Sequence, residues 1–580
     1  MESTGTGPLA ERRRRMSNKD QSLKKLKTFA YNSGFSSSYS QPAGRIHFGS
    51  LGRWINDPCG LVHCDGVYHL FYQLNPHGTE WGNMHWGHAV SSNLIHWEHR
   101  PIAISPHPEF GMAFTGSVVV DTENSSGFFP QSATGFVALL TTARESKDEA
   151  TLVQTQSIAY SHDQGETWQW YSGNPVIADE RLRDFRDPKI VRHPETKRWI
   201  MCISAGASIR FYRSNDLLVW ECMSSYEPES VPDVCECPIL IRFPRDGHDT
   251  WALAYSLANP DDAHFSGVRY VTGTFDGVRF LRDKAPERRL DQGPDFYAVQ
   301  NWYGVPEKAE SAIVAWANNP AYSHSLAAEV SGCTGIMTVP RRVTLFHGTA
   351  PMLRQTPVTD ALMPVPLERG RVFHEPGSSI FESVGVASPF QIELQSDDSS
   401  SAGFAVFIEG SARDSGDERS NDVSGSALRS KEAVAAGSKQ SRGIGPHHPP
   451  LLTVEFDSVD RKLVVCRNIP STSVPSNMRE TRTIGAPDPD IPLNLTAIIE
   501  EGIVELFAFD GTVTATYLLP DHPDPMRVRV TYDPDGAELA LHGHELVHPE
   551  SHQNTFRTPE ADLCEPGLTE RSNFDKGGDP

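Results

Sequence analysis

A turn signature recurs through the first half of the chain, and it constrains the fold more than any other feature. Ser92-Asn93-Leu94-Ile95-His96-Trp97, Ser161-His162-Asp163-Gln164-Gly165-Glu166-Thr167-Trp168 and Ser214-Asn215-Asp216-Leu217-Leu218-Val219-Trp220 each place small polar residues ahead of a tryptophan, and Thr274-Phe275-Asp276-Gly277-Val278-Arg279-Phe280 repeats the pattern faintly. The closing aromatics at 97, 168, 220 and 280 stand 52 to 71 residues apart, the size of one small antiparallel sheet whose turn is held by a polar side chain. Between these turns the chain reads as runs of four to eight residues, such as Val67-Tyr68-His69-Leu70-Phe71-Tyr72 and Phe136-Val137-Ala138-Leu139-Leu140, bounded by Gly, Pro, Asn and Asp. Few windows carry a helical period. The expectation is an all-β chain, with a propeller of four to six blades over roughly 45–345.

After Pro340-Arg341-Arg342 the pattern changes, and a Pro-rich stretch, 346–375, reads as a linker. The segments Phe404-Ala405-Val406-Phe407-Ile408, Leu463-Val464-Val465-Cys466, Ile503-Val504-Glu505-Leu506-Phe507 and Glu538-Leu539-Ala540-Leu541 predict a C-terminal β-sandwich over 376–550. It is interrupted at 411–448 by a Ser/Gly/charged segment too poor in large apolar residues to order itself. Residues 1–44 read as a basic disordered tail and 551–580 as a polar one. At 580 residues the chain is long enough for two domains.

Charge and composition exclude several functions. Lys+Arg 52 against Asp+Glu 74 gives a net charge of -22, which would repel a phosphate backbone, so no nucleic-acid partner is expected. No run approaches the ~18–20 apolar residues of a membrane span, and no apolar core of about 7–15 residues follows the basic N-terminus as in a secretory signal. An intracellular, cytoplasmic protein with free thiols is expected from nine cysteines, an odd and sparse number.

Three acidic sites stand out in turns. Asp57 lies in Trp54-Ile55-Asn56-Asp57-Pro58-Cys59-Gly60 before a strand; Asp187 lies in Phe185-Arg186-Asp187-Pro188; Glu236 lies in Cys235-Glu236-Cys237-Pro238. Each alone reads more readily as structure: a turn Asp, a surface ion pair, a strand-end Glu. Together they differ, because a propeller converges its inner strands on one funnel where three carboxylates can meet. Arg186 would keep Asp187 ionised and offer a fork to sugar hydroxyls, and apolar neighbours would raise Glu236 toward general-acid duty. Trp54, Trp81, Phe114 and Trp316 would supply flat walls for sugar rings, and Asn56 and Gln73 paired donors and acceptors.

These motifs resemble glycoside hydrolase family 32, the invertases, inulinases, levanases and fructosyltransferases. The resemblance rests on Trp54 to Gly60, Arg186-Asp187-Pro188 and Glu236-Cys237-Pro238, with Phe71-Tyr72-Gln73-Leu74-Asn75-Pro76, Trp81-Gly82, Trp86-Gly87-His88, Phe114-Thr115-Gly116-Ser117 and Asp295-Phe296-Tyr297-Ala298. It implies a five-bladed β-propeller followed by a β-sandwich, and a retaining double displacement on β-fructosides such as sucrose. Asp57 would be the nucleophile, Glu236 the acid/base and Asp187 the transition-state stabiliser, with Thr115 and Asp295 among the substrate-binding residues. No metal or organic cofactor is implied; a sugar is the expected partner, and the sandwich could form a homodimer surface or a lid.

Where the family usually has Asn, this chain has Cys59, a thiol that could modulate the choice between water and sugar as acceptor. A metal site built on His85, His88, Cys59 and Cys64 lacks the paired spacing of zinc modules. The turn at Ser161 to Trp168 also resembles a sialidase turn, but the -22 charge disfavours anionic sugars. A non-catalytic sugar-binding propeller would tolerate loss of a carboxylate, which this chain has not undergone.

Overall fold

The computed structural model describes residues 39–547 apart from 411–449 and several shorter segments, among them 42–44, 327–334 and 397–403. The 411–448 insertion, the 551–580 tail and nearly all of the basic tail fall outside the described residues. The described residues are almost entirely strand, and a four-residue turn of helix, Ser323–Leu326, is the α-helix among them.

Five antiparallel sheets follow one another along the chain, each a meander in which consecutive strands pair. They begin with the strands Trp54–Cys64, Met112–Asp121, Phe185–Arg192, Cys235–Phe243 and Tyr297–Asn301. These five first strands lie side by side in that order, and the fifth returns to touch the first, so the sheets close a ring. Ring closure buries the first strands on both faces. That is why Pro238-Ile239-Leu240-Ile241 is continuously apolar, whereas Glu480–Gly485, the edge strand of a sheet outside the ring, alternates buried and exposed.

The repeated turn joins the third and fourth strands of its sheet. Asn93, Asp163 and Asp216 accept from Ser91, Ser161 and Ser214 hydroxyls at 3.2, 2.8 and 3.0 Å, and the indoles of Trp97, Trp168 and Trp220 donate to backbone carbonyls three residues upstream at 3.0, 3.0 and 2.8 Å. The capping serine of the first copy is Ser91, not Ser92. Its hydroxyl also accepts from the Asn93 amide, closing the local ring that a turn of this kind needs.

Two boundaries are corrected. Tyr39–Ser40 is not free tail but an edge strand paired to Glu98 and His99. The 346–375 stretch is not a linker: Pro351–Pro357 is the fourth strand of the fifth sheet, Met363–Pro366 pairs with Leu539–Val547, and Gly370–Glu375 pairs with Ser378–Val386. Its prolines sit on strands at a sheet edge or at the end of the pairing, where a missing N–H is tolerated.

The C-terminal half forms a six-stranded and a seven-stranded sheet. Phe390, Ile392, Leu394 and Leu495 from one and Phe404, Val406, Val454 and Val528 from the other share one apolar core, so the two sheets face each other. This pair docks on the ring through buried charge. Arg341 donates to Asp291 at 2.8 Å and to Glu505 at 3.0 Å, and Arg467 donates to Asp295 at 2.6 Å, all with fully buried side chains. Charges removed from water in this way are tolerable only when each is paired and hydrogen-bonded.

Candidate active site

Every first strand of the ring carries a bulge. Pairing with the second strand skips between Ile55 and Pro58, Ala113 and Gly116, Arg186 and Lys189, Glu236 and Ile239, and Tyr297 and Gln300. The skipped positions include Asn56 and Asp57, Phe114 and Thr115, Asp187, Cys237, and Ala298. Three of them, Asp187, Cys237 and Ala298, take φ of 64°, 47° and 53°, a region L-residues avoid unless the surroundings enforce it. A bulge bends its strand and re-aims a side chain. Repeated around a closed ring, it brings residues from separate sheets to one place.

Asp57 and Asp187 meet there. The Asp57 carboxylate accepts from Asn56 Nδ2 at 3.0 Å and from Thr115 Oγ1 at 2.6 Å. Asp187 Oδ2 accepts from the Cys237 amide at 3.0 Å, and the Asp187 amide donates to Thr141 Oγ1 at 3.0 Å. The Cys237 thiol lies between the two carboxylates, 3.7 Å from Asp57 Oδ2 and 3.6 Å from Asp187 Oδ2. Burial and the surrounding carboxylates push that thiol well up, so it stays protonated and donates. Burial also raises Asp57, against the opposing pull of the Thr115 and Asn56 hydrogen bonds. It lifts Asp187 to about 7, with Arg186 opposing and Asp57 and Glu236 adding.

Glu236, on the fourth sheet, is held from two sides. Arg186 donates to Oε1 through Nη2 at 2.7 Å and Nε at 3.2 Å, while the Tyr297 hydroxyl donates to Oε2. Arg186 also donates to Asp184 at 2.5 Å, and these carboxylates with Asp187 keep its guanidinium charged despite burial. Its donors are thus committed to protein carboxylates more than the fork for sugar hydroxyls would suggest.

Trp54 packs edge-on to Trp316 with centroids 5.9 Å apart, stacks on His324 at 5.7 Å, and donates its indole N–H to Asn56 Oδ1 at 2.8 Å. Trp81 and Phe114 form a second aromatic pair at 5.9 Å. Gln73 donates to the Ala113 carbonyl at 3.0 Å, bracing the bulge that presents Thr115. Cys59 is fully buried beside Phe71, Trp86 and Val118, and burial together with the nearby Asp57 and Asp187 carboxylates pushes its thiol well up, with Gln73 and the Gly116 backbone as its hydrogen-bond partners.

Asp295 is not at the site. It is fully buried where the ring meets the C-terminal sheets, accepting from Tyr322, Arg467 and the Leu518 amide. Its motif does reach the site, through Tyr297, whose contact with Glu236 sequence reasoning missed. Arg186 beside Glu236 went equally unread. The signal for Tyr297 was present, two residues from the acid that drew attention.

Of groups able to gather a metal, Asp57, Asp187 and Cys237 offer ligand atoms within 4.8 Å of one another, but the thiol is already hydrogen-bonded to both carboxylates. His88 instead pairs with His69 at 3.1 Å and stacks on Phe71 at 4.3 Å.

Comparison with known proteins agrees with this geometry. The model of the glycosyl hydrolases family 32 N-terminal domain matches residues 47–357, which run to the last strand of the fifth ring sheet. A levanase of Bacillus subtilis is 39% identical over 325 residues, 54% of this chain and 47% of its own length. An extracellular exo-inulinase of Aspergillus awamori is 35% identical over 352 residues, 55% of this chain and 64% of its own. The chain therefore spans from about half to just under two thirds of these relatives. The crystal structure of an Aspergillus awamori exo-inulinase superposes with a TM-score of 0.72 at 26% identity, covering 89% of this chain and 100% of that one. A β-fructofuranosidase of Schwanniomyces occidentalis, complexed with fructosyl-erythritol, gives 0.67 at 25% identity over 90% and 99%. A match across more than half the chain, on a ring that brings the carboxylates together, leaves one assignment: the chain belongs to glycosyl hydrolase family 32.

Proposed function

We propose that this chain is a retaining β-fructofuranosidase acting on sucrose or related β-fructosides, its ring a five-bladed β-propeller and its C-terminal sheets a β-sandwich. The observation that carries the reading is the convergence of Asp57, Asp187 and Glu236 from three different sheets, with hydrogen bonds that give each a distinct environment.

Asp57, oriented by Asn56 and Thr115, attacks the anomeric carbon of the fructosyl unit, forming a carbon–oxygen bond as the bond to the leaving oxygen breaks. Glu236 supplies the proton to that oxygen. In the second half an acceptor hydroxyl attacks the same carbon, Glu236 takes its proton, and the Asp57 carboxylate leaves. Asp187 accepts hydrogen bonds from fructose hydroxyls that strengthen as charge develops on the ring. Trp54, Trp81, Phe114 and Trp316 wall the sugar. Water as acceptor gives hydrolysis; a sugar hydroxyl gives fructosyl transfer.

The test is purified protein in concentrated sucrose, with glucose and fructose followed separately and Asp57→Ala and Glu236→Gln run beside it. Loss of about 10²–10⁴-fold in Glu236→Gln, and release of fructose first as the β-anomer by NMR, are expected. Full activity in Glu236→Gln, or initial release of the α-anomer, overturns the reading. Equal glucose and fructose identifies water as acceptor, and glucose in excess with trisaccharide identifies transfer.

A further inference from the structure

The residues that lead into Tyr297 are gripped by the C-terminal sheets. Gln292 donates its amide to the Thr514 carbonyl at 2.7 Å, Asp295 donates to the Thr516 carbonyl at 3.3 Å, and the Thr516 amide returns to Asp291 Oδ1 at 2.9 Å. The approach is so close that a Cβ on Gly293 would stand 2.3 Å from the Thr516 backbone. Asp295 accepts from Arg467 at 2.6 Å and the Leu518 amide at 2.8 Å, as well as from Tyr322. Arg341 lies 4.7 Å over the Phe296 ring while its guanidinium binds Asp291 and Glu505. Residues 291, 292, 295 and 296 are therefore each fixed by a group on, or bound to, the C-terminal sheets. The next residue is Tyr297, whose hydroxyl donates to Glu236 Oε2.

We propose that Arg467 and Asp295 are positioning residues for the acid/base: the C-terminal sheets hold the 291–296 strap, the strap sets Tyr297, and Tyr297 holds Glu236. The C-terminal half is then part of the catalytic apparatus and not only a stabilising appendage. This rests on the assignment of Glu236 as the proton donor.

The groups facing Glu236 are Arg186 on the third sheet, Tyr297 on the fifth, Cys237 beside it, and the Asp57 and Asp187 carboxylates. Those facing Asp295 are Arg467, Tyr322 and Glu480. A phenol donating to a carboxylate favours the ionised form. Weakening that donor raises the Glu236 pKa and moves the basic limb of the pH–rate profile upward, since Glu236 must carry a proton to release the leaving group.

The measurement is kcat/KM against pH on the full chain. Tyr297→Phe should move the basic limb up by about 1–2 pH units. The charge-neutral pair Asp295→Asn with Arg467→Met, which strands no buried ion, should move it the same way by a smaller amount, and Tyr322→Phe serves if that pair does not fold. In the Tyr297→Phe background neither change should move the limb further, because the link it acts through is gone. An equal shift with and without the Tyr297 hydroxyl, or activity lost with the limb unmoved, overturns the proposal. Glu236→Gln with an intact basic limb would instead overturn the acid/base assignment itself.

Discussion

His47 should make the docking of the two halves depend on pH, in a direction and over a range that can be worked out. Its ring lies between two carboxylates, with Nδ1 2.5 Å from Glu500 and Nε2 2.9 Å from Glu505, and its backbone amide also donates to Glu500 at 3.1 Å. Burial by itself would lower the imidazole pKa, but the two glutamates together outweigh it and raise the value from 6.5 to about 9. The folded state thus holds a proton that the unfolded chain releases near 6.5. Stability from this group is complete below about pH 6.5 and is lost as pH rises through about 9, amounting to about 3 kcal/mol. Lys189 works the other way, because burial lowers it to about 7, and stability from relief of that charge grows between about 7 and its ordinary value of 10.5. The informative quantity is therefore the difference between wild type and His47→Gln, in which Lys189 cancels. Urea unfolding at pH 6, 7.5 and 9.5 should show His47→Gln destabilised most at pH 6, with the gap closing by about 3 kcal/mol at pH 9.5. A gap that stays constant across that range would refute the argument that His47 is held as a cation.

Three further outcomes follow from the same physics. Burial raises Asp187 from 3.8 to about 7, so at neutral pH the folded protein takes up part of a proton that the unfolded chain has released, which costs stability that an uncharged side chain would not; Asp187→Asn should raise the unfolding midpoint while abolishing sucrose cleavage, measured by calorimetry and product assay together. Asp163 accepts from the Ser161 hydroxyl and from the amide and hydroxyl of Thr167, far out on its sheet, so Asp163→Ala should cost about 1–2 kcal/mol in denaturant unfolding and leave kcat/KM unchanged. Cys59 is fully buried beside Phe71, Trp86 and Val118, and an Asn there carries more polar atoms than a thiol into a space where Gln73 and the Gly116 backbone are the hydrogen-bond partners, so Cys59→Asn should destabilise by about 1–3 kcal/mol in the same assay.

Much of this molecule is legible in its sequence, because the physics involved is local. A polar residue four or five positions ahead of a Trp can close a turn without help from elsewhere, and the hydrogen bonds of Asp163 and Asp216 show that it does. Alternating and continuous apolar runs depend only on which faces a strand buries, so strands such as Val67–Asn75, Gly135–Glu145, Lys462–Arg467 and Ile503–Ala508 could be read from their own residues. The motifs around Asp57, Asp187 and Glu236 are likewise contiguous. The Pro-rich stretch misled because proline is equally at home in a linker and on an edge strand, and partners such as Leu539–Val547 lie far along the chain.

Asp295 shows where the sequence runs out. An acid beside Phe296 and Tyr297 has the same local text whether it faces a sugar or an arginine 172 residues away, and only closure of the ring against the C-terminal sheets puts Arg467 there. The same closure aligns the five bulges, since a register skip has consequences for a site only when neighbouring strands aim their skipped residues at a common point. The sequence by itself determined the all-β class, the repeated turn and the motifs that carry Asp57, Asp187 and Glu236. The tertiary structure decided which groups hold them, because hydrogen bonds between Tyr297 and Glu236, or Arg467 and Asp295, join residues whose spacing carries no local free-energy signature.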